Sequence, residues 1–125
     1  MPELPEIEAL RRYLLREGLV GRTVVEVDAD WPGVEDTVDG MGGLSGLVGR
    51  RVEGIARRGK QLIAGLDRGV LGLHMGMTGR LGVMAPEDES FRYRRLALYL
   101  DDERRLELDD VRRWAMVRLE ESADA

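Results

Sequence analysis

The sequence predicts an α+β protein, mainly β: a two-layer antiparallel β-sandwich flanked by an N-terminal helix and a short second helix. Three observations carry this. Apolar residues follow a helical period only near the start, at Ile7, Leu10 and Leu14. Beyond Arg51 they occur in short runs separated by Gly- and Asp-containing turns. The chain of 125 residues, 43% hydrophobic and 34% charged, can bury one core and divides into no further unit, so residues 1–125 read as one domain.

The helix is expected over residues 5–17. Pro5 suits a first helical position, Glu6 and Glu8 suit a first turn, and Gly18 is a C-terminal stop. Thr23-Val24-Val25-Glu26-Val27 reads as a strand, and the acidic, Gly-rich residues 28–43 read as a loop with room for a short helix around the Trp31-Pro32-Gly33 turn. Residues 44–48 make one helical turn before Gly49. Val52, Ile55, Leu62 and Ile63 mark strands on either side of Arg57-Arg58-Gly59-Lys60. Asp67-Arg68-Gly69 is a hairpin turn leading into a strand over residues 70–73. A Gly-punctuated turn over residues 74–80 precedes a strand over 81–84, and residues 86–90 form a polar loop. Residues 94–100 and 104–108 pair around Asp101-Asp102-Glu103, and the last strand covers about 114–119, followed by a frayed tail. The total is seven or eight short strands.

Composition excludes several chemistries. With no cysteine there is no disulfide, thiolate metal site or thiol catalysis, and one histidine leaves no multi-histidine site. No apolar run is long enough to cross a bilayer and no signal sequence opens the chain, so an intracellular, cytoplasmic protein is expected. The net charge of −5 opposes nonspecific attraction to nucleic acid. The charges are segregated, however, with basic groups at Arg50-Arg51, residues 57–60, residues 92–95 and Arg112-Arg113, which allows a basic face on an acidic body.

Four stretches carry possible chemistry. The first is Met1-Pro2-Glu3-Leu4-Pro5-Glu6. Removal of Met1 leaves Pro2 as a secondary amine at the N-terminus, and an α-amino group titrates near pH ~8, so part of it is neutral and nucleophilic at physiological pH. Glu3 lies beside it, and a helix starting near Pro5 points Glu6 back toward it, one turn on. The plainer reading of these residues is a helix start. The second stretch holds Lys60, the one lysine among 19 basic residues. A compact ammonium contacts a phosphate as a point charge where a planar fork does not fit; a solvated strand end is the plainer reading. The third is His74-Met75-Gly76-Met77-Thr78-Gly79, where glycines admit close approach, Met77 could wedge into a base stack and His74 could meet a phosphate. A core histidine and a gap-filling Met are the alternative. The fourth is Asp110-Val111-Arg112-Arg113-Trp114, in which paired arginines and an aromatic suit a nucleic acid, or else start a strand.

Occurring together and in this order, these stretches resemble the N-terminal domain of the formamidopyrimidine-DNA glycosylase / endonuclease VIII family, nearer its formamidopyrimidine branch. The resemblance covers nearly the whole chain. It implies a DNA repair glycosylase with AP lyase activity that excises oxidised bases through a Schiff base on the N-terminal proline. In that reading Pro2 is the nucleophile and Glu3 the acid/base. Glu6 orients the lesion or relays protons. Lys60 and His74 hold phosphates. Met77, Arg112 and Trp114 fill the gap left by the flipped nucleotide, with Arg113 beside them on the DNA. The implied partner is double-stranded DNA with an oxidised base or abasic site, bound by a monomer, with no membrane. No cofactor is expected in this chain. The family's zinc finger and helix-two-turn-helix belong to a second domain expected to be absent here. The chain departs from the family pattern at Val111 (usually Pro), Ala115 (usually Gly), Trp114 (commonly Phe), and at Tyr93 and Arg95, where histidines are frequent. The alternative is a stand-alone, catalytically impaired domain that binds damaged DNA or a protein partner.

Overall fold

A computed structural model describes residues 4–29, 44–76, 79–111 and 115–120. Helix α1 spans Leu4–Arg16 and buries Ile7 and Leu14 almost completely. It ends as its sequence dictates. Gly18 takes φ +73°, a left-handed value that costs a glycine nothing. This lets Gly18 N donate to Leu15 O at 3.1 Å and Leu19 N to Leu14 O at 3.4 Å, a Schellman closure with Leu14 and Leu19 both buried beneath it.

Eight strands follow among the described residues: β1 (Val24–Ala29), β2 (Val52–Arg58), β3 (Gln61–Leu66), β4 (Val70–His74), β5 (Arg80–Met84), β6 (Arg94–Leu100), β7 (Arg105–Asp109) and β8 (Met116–Glu120). A 3-10 turn, Leu44–Leu47, supplies the short second helix. The strands form two antiparallel four-stranded sheets, β1-β6-β7-β5 and β2-β3-β4-β8. Their inward faces share one core, with Leu62, Leu71 and Val117 from one sheet meeting Leu98, Leu106 and Leu108 from the other.

Three departures from the expected elements have local causes. β1 continues through Asp28 and Ala29, which read as loop, because β6 lies alongside and Arg94 of that strand pairs with Asp28. β2 keeps Val52 and Ile55 inward although they are three apart, because a register shift between Val52 and Gly54 leaves Glu53 as an extra residue. The polar loop expected over residues 86–90 lies along the outward side of β7. Arg105, Glu107 and Asp109 alternate there with the inward Leu106 and Leu108, yet all five are buried. Arg105 donates to Ala85 O at 2.9 Å and Asp88 O at 2.6 Å, and Glu107 accepts from Ser90 Oγ at 2.7 Å and Phe91 N at 2.9 Å. The loop is therefore a strap stitched down by the charged side of one strand. The strand expected over 114–119 begins instead at Met116, and the tail after Glu120 lies outside the described residues.

A candidate nucleic-acid interface at one end of the sandwich

β2 and β3 are joined by a two-residue turn in which Gly59, at φ +60°, takes the first position and Lys60 the second. A glycine first and an ordinary residue second is the type II′ order that matches strand twist. Lys60 is thus exposed at the tip of a tight, fixed turn. Its neighbour Gln61 pairs with His74 across β3–β4, and His74 pairs with Met116 across β4–β8. Strands lie about 4.8 Å apart, so Lys60, His74 and the start of β8 occupy a strip roughly 10 Å wide.

His74 is half-buried, and its Nδ1 accepts a hydrogen bond from Gly76 N at 3.3 Å. That bond places the neutral ring's proton on Nε2, making Nε2 the donor. Gly76 takes φ +66°, and Gly79 N donates to Met75 O at 3.0 Å, closing the connection on itself. A Cβ on Gly79 would sit 2.1 Å from that Met75 oxygen, so this position accepts no side chain without backbone movement. Met75 is buried, 1% exposed; Met77, for which the gap-filling alternative stood, lies outside the described residues.

Helix α1 reaches the same end. Glu8, one turn into the helix, pairs with Arg57 of β2 at 3.6 Å, while Gly21 beyond the helix donates to Val52 O at the other end of that strand at 2.8 Å. The helix therefore runs antiparallel along β2 with its first turn toward the Gly59–Lys60 turn. Glu8 also accepts from Arg11 at 2.7 and 2.9 Å and from Arg12 at 3.0 Å. The Arg11 hydrogen bonds, against an opposing desolvation and with help from Arg12, hold its carboxyl down at about 2. It is a fixed anion rather than a proton carrier. Glu6, in the first turn, is exposed.

Two of the three connections between the sheets leave and return here. β4 ends at His74 and crosses to β5 at Arg80; β7 ends at Asp109, opposite Arg80, and crosses back to β8. Asp110 is fully buried. Its Oδ2 accepts from Ala115 N at 2.7 Å, which ties together the two ends of the Asp-x-Arg-Arg-Trp segment. Tyr93 and Arg95, the positions that depart from histidine, belong to the same cluster. Tyr93 N donates to Asp109 Oδ1 at 2.9 Å, Arg95 Nε donates to Asp110 O at 2.8 Å, and the Arg95 guanidinium lies 5.9 Å from the Tyr93 ring centre.

Of the candidate residues, Glu6, Lys60 and His74 are described, and Lys60 and His74 fall together on adjacent strand ends. Pro2, Glu3, Met77, Arg112, Arg113 and Trp114 lie outside the described residues. Sequence reasoning missed Glu8, Arg57, Asp109 and Asp110 as the groups that fix this end. A cue existed for Asp110 alone, an acid opening a basic segment. Among the described residues no group of three or more His, Asp or Glu side chains could hold a metal ion, and the sequence has no cysteine.

Fold and gathered ends first define a class: a helix-fronted antiparallel β-sandwich with two of its three inter-sheet crossovers, β4–β5 and β7–β8, at one charged end. The formamidopyrimidine-DNA glycosylase N-terminal domain matches residues 1–117. The chain belongs to that family. It is 40% identical over 122 residues to a formamidopyrimidine-DNA glycosylase of Chloroflexus aurantiacus, covering 95% of this chain and 43% of the relative. It is 36% identical over 120 residues to one of Shouchella clausii, again covering 95% and 43%. Among solved structures it resembles MutM bound to DNA containing carbocyclic 8-oxo-G, with TM-score 0.82 and 29% identity, covering 95% of this chain and 44% of that one. It also resembles Lactococcus lactis Fpg bound to DNA containing an abasic site, with TM-score 0.82 and 28% identity over 94% of this chain and 43% of that one. The chain spans less than half the length of these relatives. Among the described residues no helix is long and apolar enough to cross a membrane.

Proposed function

We propose that residues 1–125 are the catalytic-type domain of a DNA glycosylase with AP lyase activity, acting on oxidised bases through a Schiff base on Pro2. The observation that carries this is the convergence of Lys60, His74 and the first turn of α1 on one end of the sandwich. Family membership and the DNA-bound relatives support it.

The chemistry follows from a processed N-terminus. The lone pair of the Pro2 nitrogen attacks the sugar C1′, and the bond from C1′ to the damaged base breaks as the base leaves with a proton. Glu3 protonates the ring oxygen as the C1′–O4′ bond opens, and the nitrogen lone pair forms the C=N⁺ bond. A secondary amine gives an iminium that is cationic at every pH, an electron sink for the elimination that cleaves the strand. Glu6 orients the lesion or relays protons. Lys60 and the Nε2 donor of His74 hold phosphates. Met77, Arg112 and Trp114 occupy the space the extruded nucleotide leaves, with Arg113 beside them on the DNA, which offsets an unstacking cost of roughly a few kcal/mol. The partner is duplex DNA with an oxidised base or abasic site, met by a monomer in the cytoplasm. The helix-two-turn-helix and zinc finger of the family would complete the grip from a second domain.

The test is borohydride trapping on an abasic-site oligonucleotide, with the N-terminus verified by mass. A chain beginning at Pro2 is expected to give a covalent adduct that maps to its first residue. An adduct of undiminished yield from an acetylated N-terminus would overturn the mechanism. Salt-dependent DNA affinity without any adduct would support the binding-module reading instead.

A further inference from the structure

Lys60 and Glu6 reach the proposed interface on different elements, Lys60 on the β2–β3 turn and Glu6 on the first turn of α1. A two-residue turn is rigid within itself. Its aim against a neighbouring helix is a separate matter, because the strand ladder ends at Arg58 opposite Gln61. Arg57 spans the gap between the two elements. Its Nη1 donates to Gly59 O at 3.3 Å, which grips the turn, and its Nε lies 3.6 Å from Glu8 Oε1 on α1.

Glu8 is oriented before Arg57 meets it. Arg11 takes both carboxylate oxygens, through Nε at 2.9 Å and Nη2 at 2.7 Å, and Arg12 Nε adds a bond at 3.0 Å. A carboxylate held by such a fork has little freedom left to lose when a further guanidinium approaches. The Arg57 and Glu8 side chains are 36% and 27% exposed, and a pair so exposed adds little to stability. The helix stays on the sandwich without it, since Ile7 and Leu14 are buried at 1% and 2%. The contact is weak as a stabiliser and specific as a spacer. It fixes the turn that carries Lys60 against the helix turn that carries Glu6.

We infer that Glu8 and Arg57 are positioning residues: the contacts from Glu8 to Arg57 to Gly59 aim Lys60 against the first turn of α1 and so set its hold on a DNA phosphate. This rests on the proposed function and deepens it. It gives a binding role to a carboxylate whose charge, taken alone, repels the strand.

The test measures the affinity of the full chain for an abasic-site duplex by fluorescence anisotropy over a series of salt concentrations. The sign of the change discriminates. Removing an acid near a phosphate tightens binding by charge alone, and so would freeing Arg57 to meet the DNA itself. Positioning demands the reverse. Glu8→Gln is expected to weaken binding about threefold, the scale of one ion pair of this exposure. Arg57→Gln is expected to weaken it by a similar factor, and the double variant by no more than either single one. Lys60→Gln removes a phosphate contact and is expected to lower the salt slope by about 1. In that background Glu8→Gln is expected to change the affinity no further, because its effect passes through Lys60. Tighter binding by Glu8→Gln, additive losses in the double variant, or a loss of equal size with and without Lys60 overturns the inference and leaves the proposed function standing. An unaltered chain with no salt-dependent affinity for the duplex overturns the proposed function, and this inference with it.

Discussion

Glu107 is the most demanding residue in the fold, and replacing it tests how the strap over residues 85–93 is held. Its carboxylate is fully buried and takes Arg105 Nε at 2.6 Å, Ser90 Oγ at 2.7 Å and Phe91 N at 2.9 Å. Glu107→Ala leaves the buried Arg105 without its counter-charge and orphans a backbone N–H. Breaking a buried pair on one side costs about 3–5 kcal/mol. Arg105 keeps the Ala85 and Asp88 carbonyls, which puts the expected loss near the lower figure, about 3 kcal/mol. Glu107→Gln retains an acceptor for Phe91 N and Ser90 and should lose about 1–2 kcal/mol. At about 4 °C per kcal/mol for a chain of this size, the alanine variant melts roughly 12 °C lower. The pH dependence carries the same information. Burial alone would raise this carboxyl, but the Arg105 side chain, the Phe91 N–H and the Ser90 hydroxyl outweigh it and hold the group below its ordinary 4.5. A lowered folded-state value means the stabilisation is complete above about pH 4.5 and is lost as the pH falls through the folded-state value. Urea denaturation followed by circular dichroism from pH 7 to pH 3 measures both effects. The Gln variant should show a flatter decline than the wild type. The reasoning is refuted if Ala and Gln destabilise equally, or if neither costs as much as about 1 kcal/mol.

Three other outcomes follow from single positions. Gly79→Ala drives a Cβ into the Met75 carbonyl, so it should cost about 1–3 kcal/mol and lower DNA trapping more than an alanine at exposed Gly59 does; thermal melting and trapping read both. Glu103 holds φ +75° at the β6–β7 turn, a conformation that strains a side-chain-bearing residue by about 1 kcal/mol, so Glu103→Gly should raise the melting temperature by a few degrees in calorimetry. Glu8, held at about 2 chiefly by Arg11, should keep α1 anchored to Arg57 until the pH falls well below 4.5; a carboxyl resonance of Glu8 that titrates near 4.5 by NMR would contradict that geometry.

The fold was legible because its local codes are unambiguous. Gly18 after an amphipathic run stops a helix, Asp67-Arg68-Gly69 turns a hairpin, and the Leu-rich alternation of residues 94–108 can only be sheet. The placement of Lys60 and His74 at turns was legible for a different reason: each sits where a glycine sets a fixed turn, so residue type and backbone geometry are coupled. What the sequence hides is partnership across the fold. Arg105, Glu107 and Asp109 alternate with leucines as any half-exposed strand does, and nothing local says that a strap will cover them. Glu8 and Asp110 look like ordinary acids until Arg57 and Ala115, 49 and 5 positions away, are placed against them.

Topology explains why the hidden partners cluster where the legible motifs do. Each sheet is antiparallel, so a chain that leaves one sheet for the other must cross at an end, and crossing exposes backbone groups that no ladder satisfies. Both the β4–β5 and the β7–β8 crossings fall at the end that also receives the Gly59–Lys60 turn and the first turn of α1. Satisfying that many loose amides needs strong acceptors close by, and Asp109 and Asp110 at the end of β7 supply them. With these backbone amides taken by buried acids, Lys60 at the tip of its turn stays exposed. An overall charge of −5 is therefore compatible with a basic end: the acids that make the total negative are spent, at this end, on holding the loops from beneath.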